Sequence, residues 1–520
     1  MSSRGATTMA ALALVGACHI VSGLDGLEGQ PPPGEGGARA STTTAGGGEV
    51  MGDGGMGGDT PQGGAAPAPC DAGGGGGPDA CRGDVIWSRA LSASWGVAVQ
   101  AVAVAPDGGI YVAGRASGSG DFGLGPFSAG SSSDGFVVKY GPDGTLAWQR
   151  WVTGASYGAR VTALAASETG VVVGGWSNDD YVAGGIPHQN DHYGYADGFV
   201  ESLDADGNLS WHTRIRGMND QEVTSVAISQ SGAVAVTGTY YDDLVIDDVV
   251  DVEDRSSYDA FVALLDEDGH LAWVHRYGDL GMYQWGGDVA FSPGGERLYA
   301  TGDFWGTVTI AGQTLSAAGR SGYVAALDPT GGSEVWARQL DGPGYEYLFG
   351  IVATASELWL AGTFQGGASL AGGNVLDGSG NDDVLVGRLD GAGDHLSSWG
   401  LDNTHGLTSY RRLLDVDRHG RVVVVGAFDA QLVVGDTTLA PNDYDDAFVI
   451  KYDEDGSPIW AQAFGAPPGL YGNEAALEVA IDPADASIVV VGQFDESLTF
   501  EQTHNATPSY ESAFIVKLTP

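Results

Sequence analysis

The chain has 520 residues, 86 of them glycine, and its 67 acidic side chains against 22 basic ones give a net charge of −45. So negative a surface repels nucleic acid and anionic headgroups, which removes nucleic-acid binding as a main role and is compatible with cationic partners or divalent ions. Three cysteines in 520 residues also exclude a disulfide-dense scaffold.

Residues 1–18 read as an export signal: Arg4 supplies a positive region, Met9–Val15 an apolar core, and Val15, Gly16 and Ala17 lead into Cys18. The segment resembles the lipobox of bacterial lipoproteins, which implies lipid modification at Cys18. His19 follows where an Asp is associated with inner-membrane retention, so the resemblance implies the outer membrane or cell surface, with the lipid as membrane anchor. An ordinary secretory signal with an incidental Cys18 is the competing reading. Residues 19–82 are rich in Gly, Pro, Ala, Ser and Thr, with runs such as Gly73–Gly77, and read as a disordered, flexible tether. Cys70 and Cys81 close that segment, and in an exported chain they suggest one disulfide; a two-ligand metal clip is the alternative. No run is long enough to span a bilayer as a helix.

From residue 83 onward the chain repeats. Trp87, Trp148, Trp211, Trp273, Trp336, Trp399 and Trp460 fall at intervals of 61 to 63 residues. In the first copy Ala101–Ala105, Ile110–Gly114, Asp134–Tyr140 and Thr145–Val152 read as four short strands, and Asp143-Gly144 turns the third into the fourth. The turn recurs at Asp206-Gly207, Asp268-Gly269 and Asp455-Gly456. Seven such units predict an all-β, seven-bladed β-propeller over residues 83–520. The first copy has only its Trp strand, Asp84–Leu91, and the last stops after its third, Ala513–Leu518, so the N-terminal strand is expected to complete the seventh blade and close the ring.

Three further positions repeat. Gly114, Gly174, Gly238, Gly302, Gly362, Gly426 and Gly492 end the second strand, where a close backbone approach is expected. Trp176, Tyr240, Phe304, Phe364, Phe428 and Phe494 follow two residues later and are assigned to packing between blades. Asp134, Asp197, Asp259, Asp382 and Asp446, with Ser321 and Ser512 in the other copies, precede the third strand as short acceptors for loop amides.

The candidate site lies in the loops joining each Trp strand to the next unit, which carry Trp95, Tyr157, Tyr283 with Trp285, Tyr345 with Tyr347, Tyr410 and Tyr471. In propellers these loops gather on one face around the channel, and aromatics there, rimmed by acids, suit a glycan, peptide, protein or cationic ligand. Wedging between blades is the competing role. Asp220 stands in the third-copy loop, which lacks an aromatic, and marks where a ligand would break the sevenfold pattern. Asp204, Asp206, Asp266, Asp268, Asp453 and Asp455 resemble the start of a calcium loop but lack its closing acid and read as hairpin turns; weak Ca²⁺ binding is expected only in loops before the third strands, such as Asp443–Asp446 or Asp247–Asp254, and no other cofactor is expected. His188 and His192 flank a short loop that reads as solvent-facing, and no metal site is assigned. No catalytic set of Ser, His and acid stands out.

Gly302-Asp303-Phe304, Gly312-Gln313-Thr314-Leu315, and Asp446 through Gly456 with Trp460 resemble the SBBP-type β-propeller repeat of bacterial surface lipoproteins over about residues 84–520. The resemblance implies export and a binding or scaffold role, and it supplies no active-site residues. An extracytoplasmic enzyme is the alternative. Leu327 through Gly332 with Trp336 is similar to the Trp-docking repeats of quinoprotein dehydrogenases, and a polysaccharide-active site at the channel is the other enzymatic form.

Overall fold

The computed structural model describes residues 83–520 apart from 130–132, 157, 191–193, 252–256, 279–281, 379–381, 403, 406–411, 443, 468–471, 501 and 507–509. The chain divides into two units, Met1–Ala68 and Pro69–Pro520, and everything described belongs to the second. Cys18, Cys70 and Cys81 therefore lie outside the described residues, as do Tyr157, His192, Asp254, Tyr410, Asp443 and Tyr471. No helix occurs among the described residues.

Seven antiparallel sheets follow one another, each with four principal strands. Blade 1 is Val97–Val104, Ile110–Ala116, Asp134–Tyr140 and Leu146–Gly154, from inner to outer strand. Blades 2 to 6 repeat the order, and blade 7 combines Glu474–Ile481, Ile488–Phe494 and Ser512–Leu518 with the first strand of the ring, Val85–Leu91. The chain is a seven-bladed β-propeller. Val85–Leu91 pairs antiparallel with Ser512–Leu518 from Leu91↔Ala513 to Val85↔Leu518, and Asp84 exchanges hydrogen bonds with Thr519. The expected closure is present.

The core sits in the seams between blades. Val99, Val112 and Val138 of blade 1 pack with Leu477, Val489, Val491 and Ile515 of blade 7 in one cluster, all at 3% exposure or less. Burying each such side chain contributes about 1.5–3 kcal/mol.

The period-defining residues turn out to be two halves of one contact. Each outer-strand Trp lies over the turn glycine of the next blade: a Cβ at Gly144, Gly207, Gly269, Gly332 or Gly393 would come within 2.5–2.9 Å of Trp87, Trp148, Trp211, Trp273 or Trp336 respectively. The same five indoles donate Nε1–H to a carbonyl of that turn, at Pro142, Ala205, Glu267, Pro329 and Gly391. These glycines all have positive φ, so neither the backbone nor the space above it admits a side chain. At the last seam the chain ends meet, and Gly83 (φ +69) takes the turn glycine's place beneath Trp460.

Inner strands carry a β-bulge at one shared level. The register slips at Gln100, Thr162, Thr224, Phe349 and Leu477, and in blade 4 across Gly287 and Asp288. This explains why the first strand extends back to Val97 instead of starting at Ala101: the bulge at Gln100 inverts the alternation, hiding Val97–Val99 from a period-two pattern.

Three repeat positions are corrected by one residue. Third-strand aromatics pair with Gly114, Gly238, Gly302, Gly426 and Gly492, but in blade 2 Phe199 pairs with Gly175, not Gly174. Most of these glycines permit close approach: a Cβ at Gly114, Gly175, Gly238, Gly302, Gly362 or Gly492 would meet an inner-strand carbonyl oxygen at 1.9–2.2 Å. Consequently Ser177, not Trp176, matches the fully buried Tyr240, Phe304, Phe364, Phe428 and Phe494. In blade 5 the acid that opens the third strand is Asp383, paired with Phe364 and fully buried, whereas Asp382 accepts from Gln365.

Candidate functional site

In an antiparallel blade, the end of the second strand, the start of the third, the end of the outer strand and the start of the next inner strand share one face of the ring. The described loop aromatics, Trp95, Tyr283, Trp285, Tyr345 and Tyr347, lie on this face. The long loops between second and third strands start here too, but their hairpins turn outward. Tyr181–Ala183 pairs with blade 1's outer strand, Leu244–Ile246 with blade 2's and Gly367–Leu370 with blade 4's. Outer strands offer unpaired edges, and these hairpins cover them. The inner part of the face is left to the inner-strand loops.

There the sevenfold pattern breaks. On blades 3, 4 and 5 the aromatics form a continuous arc. Tyr241 and Tyr258 of blade 3 meet edge-on at 5.0 Å, Tyr258 lies 6.4 Å from Tyr283 of blade 4, and Tyr283 stacks on Trp285 at 5.7 Å and 23°. The Arg320 guanidinium lies 3.8 Å from the Trp285 ring centre and 4.5 Å from that of Tyr347 in blade 5, tying the two blades together. Asp303, 1% exposed at its side chain, holds Arg320 by an ion pair. Tyr345 meets Trp305 at 5.6 Å.

Tyr283 and Tyr345, both predicted, are 44% and 41% exposed; Trp285 and Tyr347 beneath them are partly buried. Trp95, the third predicted aromatic among the described residues, stands apart on blade 1. It is half exposed, and its N–H donates to Ser117 O. The structure thus brings together Tyr283 and Tyr345 but not Trp95.

Asp220 borders the arc. Its carboxylate accepts from the Tyr258 hydroxyl and the Ala196 amide, both at 2.9 Å. Two residues on, Glu222 occupies the inner-strand level that Trp285 and Tyr347 hold in blades 4 and 5, and Arg160 holds in blade 2. Burial, then the neighbouring Asp220 charge, push the Glu222 carboxyl up to about 8, with Arg160 opposing them. Glu222 is therefore largely protonated at neutral pH and can donate as well as accept a hydrogen bond.

Below the bulges the inner ring carries an ion pair that skips a blade. Asp288 of blade 4 accepts from Ser225 of blade 3 (2.5 Å), from the Ile351 amide of blade 5 (3.0 Å) and from Arg412 at the start of blade 6's inner segment (3.2 Å). On the opposite face a cavity of about 950 Å³ opens between blades 5, 6 and 7, lined by Glu357, Arg388, Asp415, Asp417 and Asp482. Three of these acids are ion-paired, Glu357 with Arg388 (2.7 Å), Asp417 with Arg421 (2.8 Å) and Asp482 with Lys517 (3.3 Å), while Asp415 accepts from the Val416 and Ile481 amides.

The predicted calcium-like turns are hairpin turns closed by their own acids. Asp204 Oδ1 accepts from the amides of Asp206 and Asn208, and Asp266 Oδ1 from those of Asp268 and His270. Among the described residues no group of three or more His, Cys, Asp or Glu is placed to hold a metal ion. His188 is half-buried. It lies in the Ile186–His188 strand, stacked on His212 at 3.8 Å, while His212 Nε2 and the Tyr181 hydroxyl share a 3.0 Å hydrogen bond. Burial, with His212 and Arg214 nearby, lowers His188 to about 4.

No family model matches the chain. No curated protein matches it either. Solved structures that it resembles include a β-propeller domain (Cps50/Swd1) from Myceliophteria thermophila at 10% identity and TM-score 0.39, covering 84% of this chain and 100% of that one. The periplasmic gluconolactonase of Pseudomonas aeruginosa matches at 14% identity and TM-score 0.38, over 78% of this chain and 99% of that one. Hydrazine synthase of Kuenenia stuttgartiensis matches at 11% and 0.37, over 75% and 91%.

Proposed function

We propose that this chain is an exported β-propeller, lipid-anchored through Cys18 at the outer membrane or cell surface, that acts as a binding or protein-interaction scaffold. Its contact surface is the aromatic arc of blades 3 to 5. The observation that carries this reading is the asymmetry of the face. Packing alone would repeat in every copy, as the Trp–Gly contacts do, whereas among the described residues the stacked Tyr283–Trp285 pair and the Arg320 bridge occupy one sector. The upper members of that sector keep more than 40% of their surface open. Exposed aromatics grouped in this way are a common form of recognition surface.

The SBBP-type repeat supports the surface assignment, and the lipobox-like segment ending at Cys18 supports the anchor. Two measurements test the reading. The full chain, applied to a mixed glycan and peptide array, should give reproducible binding that the double variant Y283A/Y345A loses while its circular dichroism is unchanged; absence of binding to every probe counts against the scaffold's ligand face. Expressed in a bacterium with a lipoprotein pathway, the wild-type chain should incorporate labelled fatty acid and C18S should not. Equal labelling of the two refutes the anchor.

A further inference from the structure

We infer that the aromatic arc takes a neutral oligosaccharide, with sugar rings lying on Tyr283 and Tyr345 and hydroxyls bonded at the Asp220–Glu222 end. This rests on the binding-face reading above and narrows its ligand to one chemical class.

Four observations select a neutral sugar chain. The cation slot is already filled: Arg320 occupies the space between Trp285 and Tyr347 and is neutralised by Asp303, so that cleft is closed to a ligand's ammonium. A net charge of −45 disfavours uronate, sulfate and phosphate sugars. The exposed aromatics are tyrosines, each combining a flat apolar face with a hydroxyl, which suits the C–H face and hydroxyl rim of a pyranose. They also stand above two adjacent blades, so one ring on each requires a chain of sugars and not a single residue.

The polar end supplies the rest. Asp220 is fixed by the Tyr258 hydroxyl and the Ala196 amide, and keeps acceptor capacity for a sugar O–H. Glu222, on the same inner strand, adds a carboxyl that both donates and accepts, matching a hydroxyl that does the same. Arg160 on the neighbouring inner strand limits the negative charge that these two acids present.

The test is calorimetric titration of the full-length protein in detergent with neutral hexasaccharides: β-1,4-glucan, β-1,4-xylan, β-1,4-mannan, α-1,4-glucan and chitin fragments. A hexaglucuronate and a hexalysine peptide serve as charged controls. At least one neutral hexasaccharide should bind and the charged probes should not. Y283A and Y345A should each weaken binding about tenfold or more, Y283F should stay within about threefold of wild type, and E222A should weaken it about fivefold. Binding of the hexalysine alone, or of peptides alone on the array, overturns the sugar assignment and leaves the binding face standing. Saccharide binding untouched by Y283A and Y345A overturns the placement on the arc. Failure of every probe, saccharide and peptide alike, removes both the sugar assignment and the binding-face reading.

Discussion

The seams at the outer strands and the start of the inner strands obey different rules. At the outer seam the same Trp meets the same turn glycine from one blade to the next, and five of the indoles reach an equivalent carbonyl. At the inner level two residues before the bulge, six blades present Ala98, Arg160, Glu222, Trp285, Tyr347 and Ala475. Repetition therefore holds the ring together at the outer seams, while the inner level changes from blade to blade. A sevenfold scaffold supports an asymmetric site because the two sets of positions do not share contacts.

That separation makes sharp claims about variants. Removing residues 83–92 takes away the strand that completes blade 7 and exposes the edge of Ser512–Leu518; cooperative unfolding should be lost or its midpoint should drop by tens of degrees in calorimetry. Trp148, 8% exposed, should cost about 3–5 kcal/mol on W148A, read as a shift in the denaturant midpoint. G207A, at φ +79 under the same indole, should approach that cost from the other side of the contact. A double variant that loses much less than the sum would identify the two as one interaction.

Inner-ring substitutions should be unequal. D288A leaves Ser225, Arg412 and the Ile351 amide without their acceptor and should cost about 3 kcal/mol, whereas A98S, at a buried inner position 5% exposed that bonds no charge, should cost about 1 kcal/mol. Equal costs at the two sites would erase the distinction between bridged and free inner positions.

The smallest effects are in pH. Folded His188 lies below its ordinary value, so its contribution is complete above about pH 6.5 and is lost as pH falls toward 4, because the unfolded chain takes up the proton first. Glu222 and Glu346, raised to about 8 and about 7 chiefly by burial, work in the opposite sense. Their contribution is complete below the ordinary glutamate range and is lost as pH rises through 7 to 8. With two such glutamates against one histidine, these three groups place the stability maximum on the acid side, at about pH 4. H188Q should flatten the acid limb and E222Q the alkaline limb of a plot of melting temperature against pH.

The fold was legible because its signals are inseparable from its contacts: Trp and Asp-Gly recur at one period since each is the other's partner across a seam. Registers failed only at doublets. Gly174-Gly175 and Asp382-Asp383 each offer two candidates for one position, and only strand pairing selects Gly175 and Asp383. The aromatic arc was legible in part. Tyr283, Trp285, Tyr345 and Tyr347 stand out in their loops, but Tyr258 and Arg320 come from third-strand starts, and no sequence spacing places a guanidinium between two rings from different blades. The Arg is adjacent to Ser321, one of the two copies lacking the usual Asp, and that substitution was the available clue.

The latch at the ring's closing seam also sets its mechanics. Gly83 and Asp84 lie beside Thr519, and Val85–Leu91 is held in blade 7 by its pairing with Ser512–Leu518. Tension arriving from the N-terminal side therefore enters through the same strand that closes the circle. That strand is the ring's fuse: a strong enough pull strips it from blade 7 and bares Trp460, while the clasps around the rest of the circle carry no load.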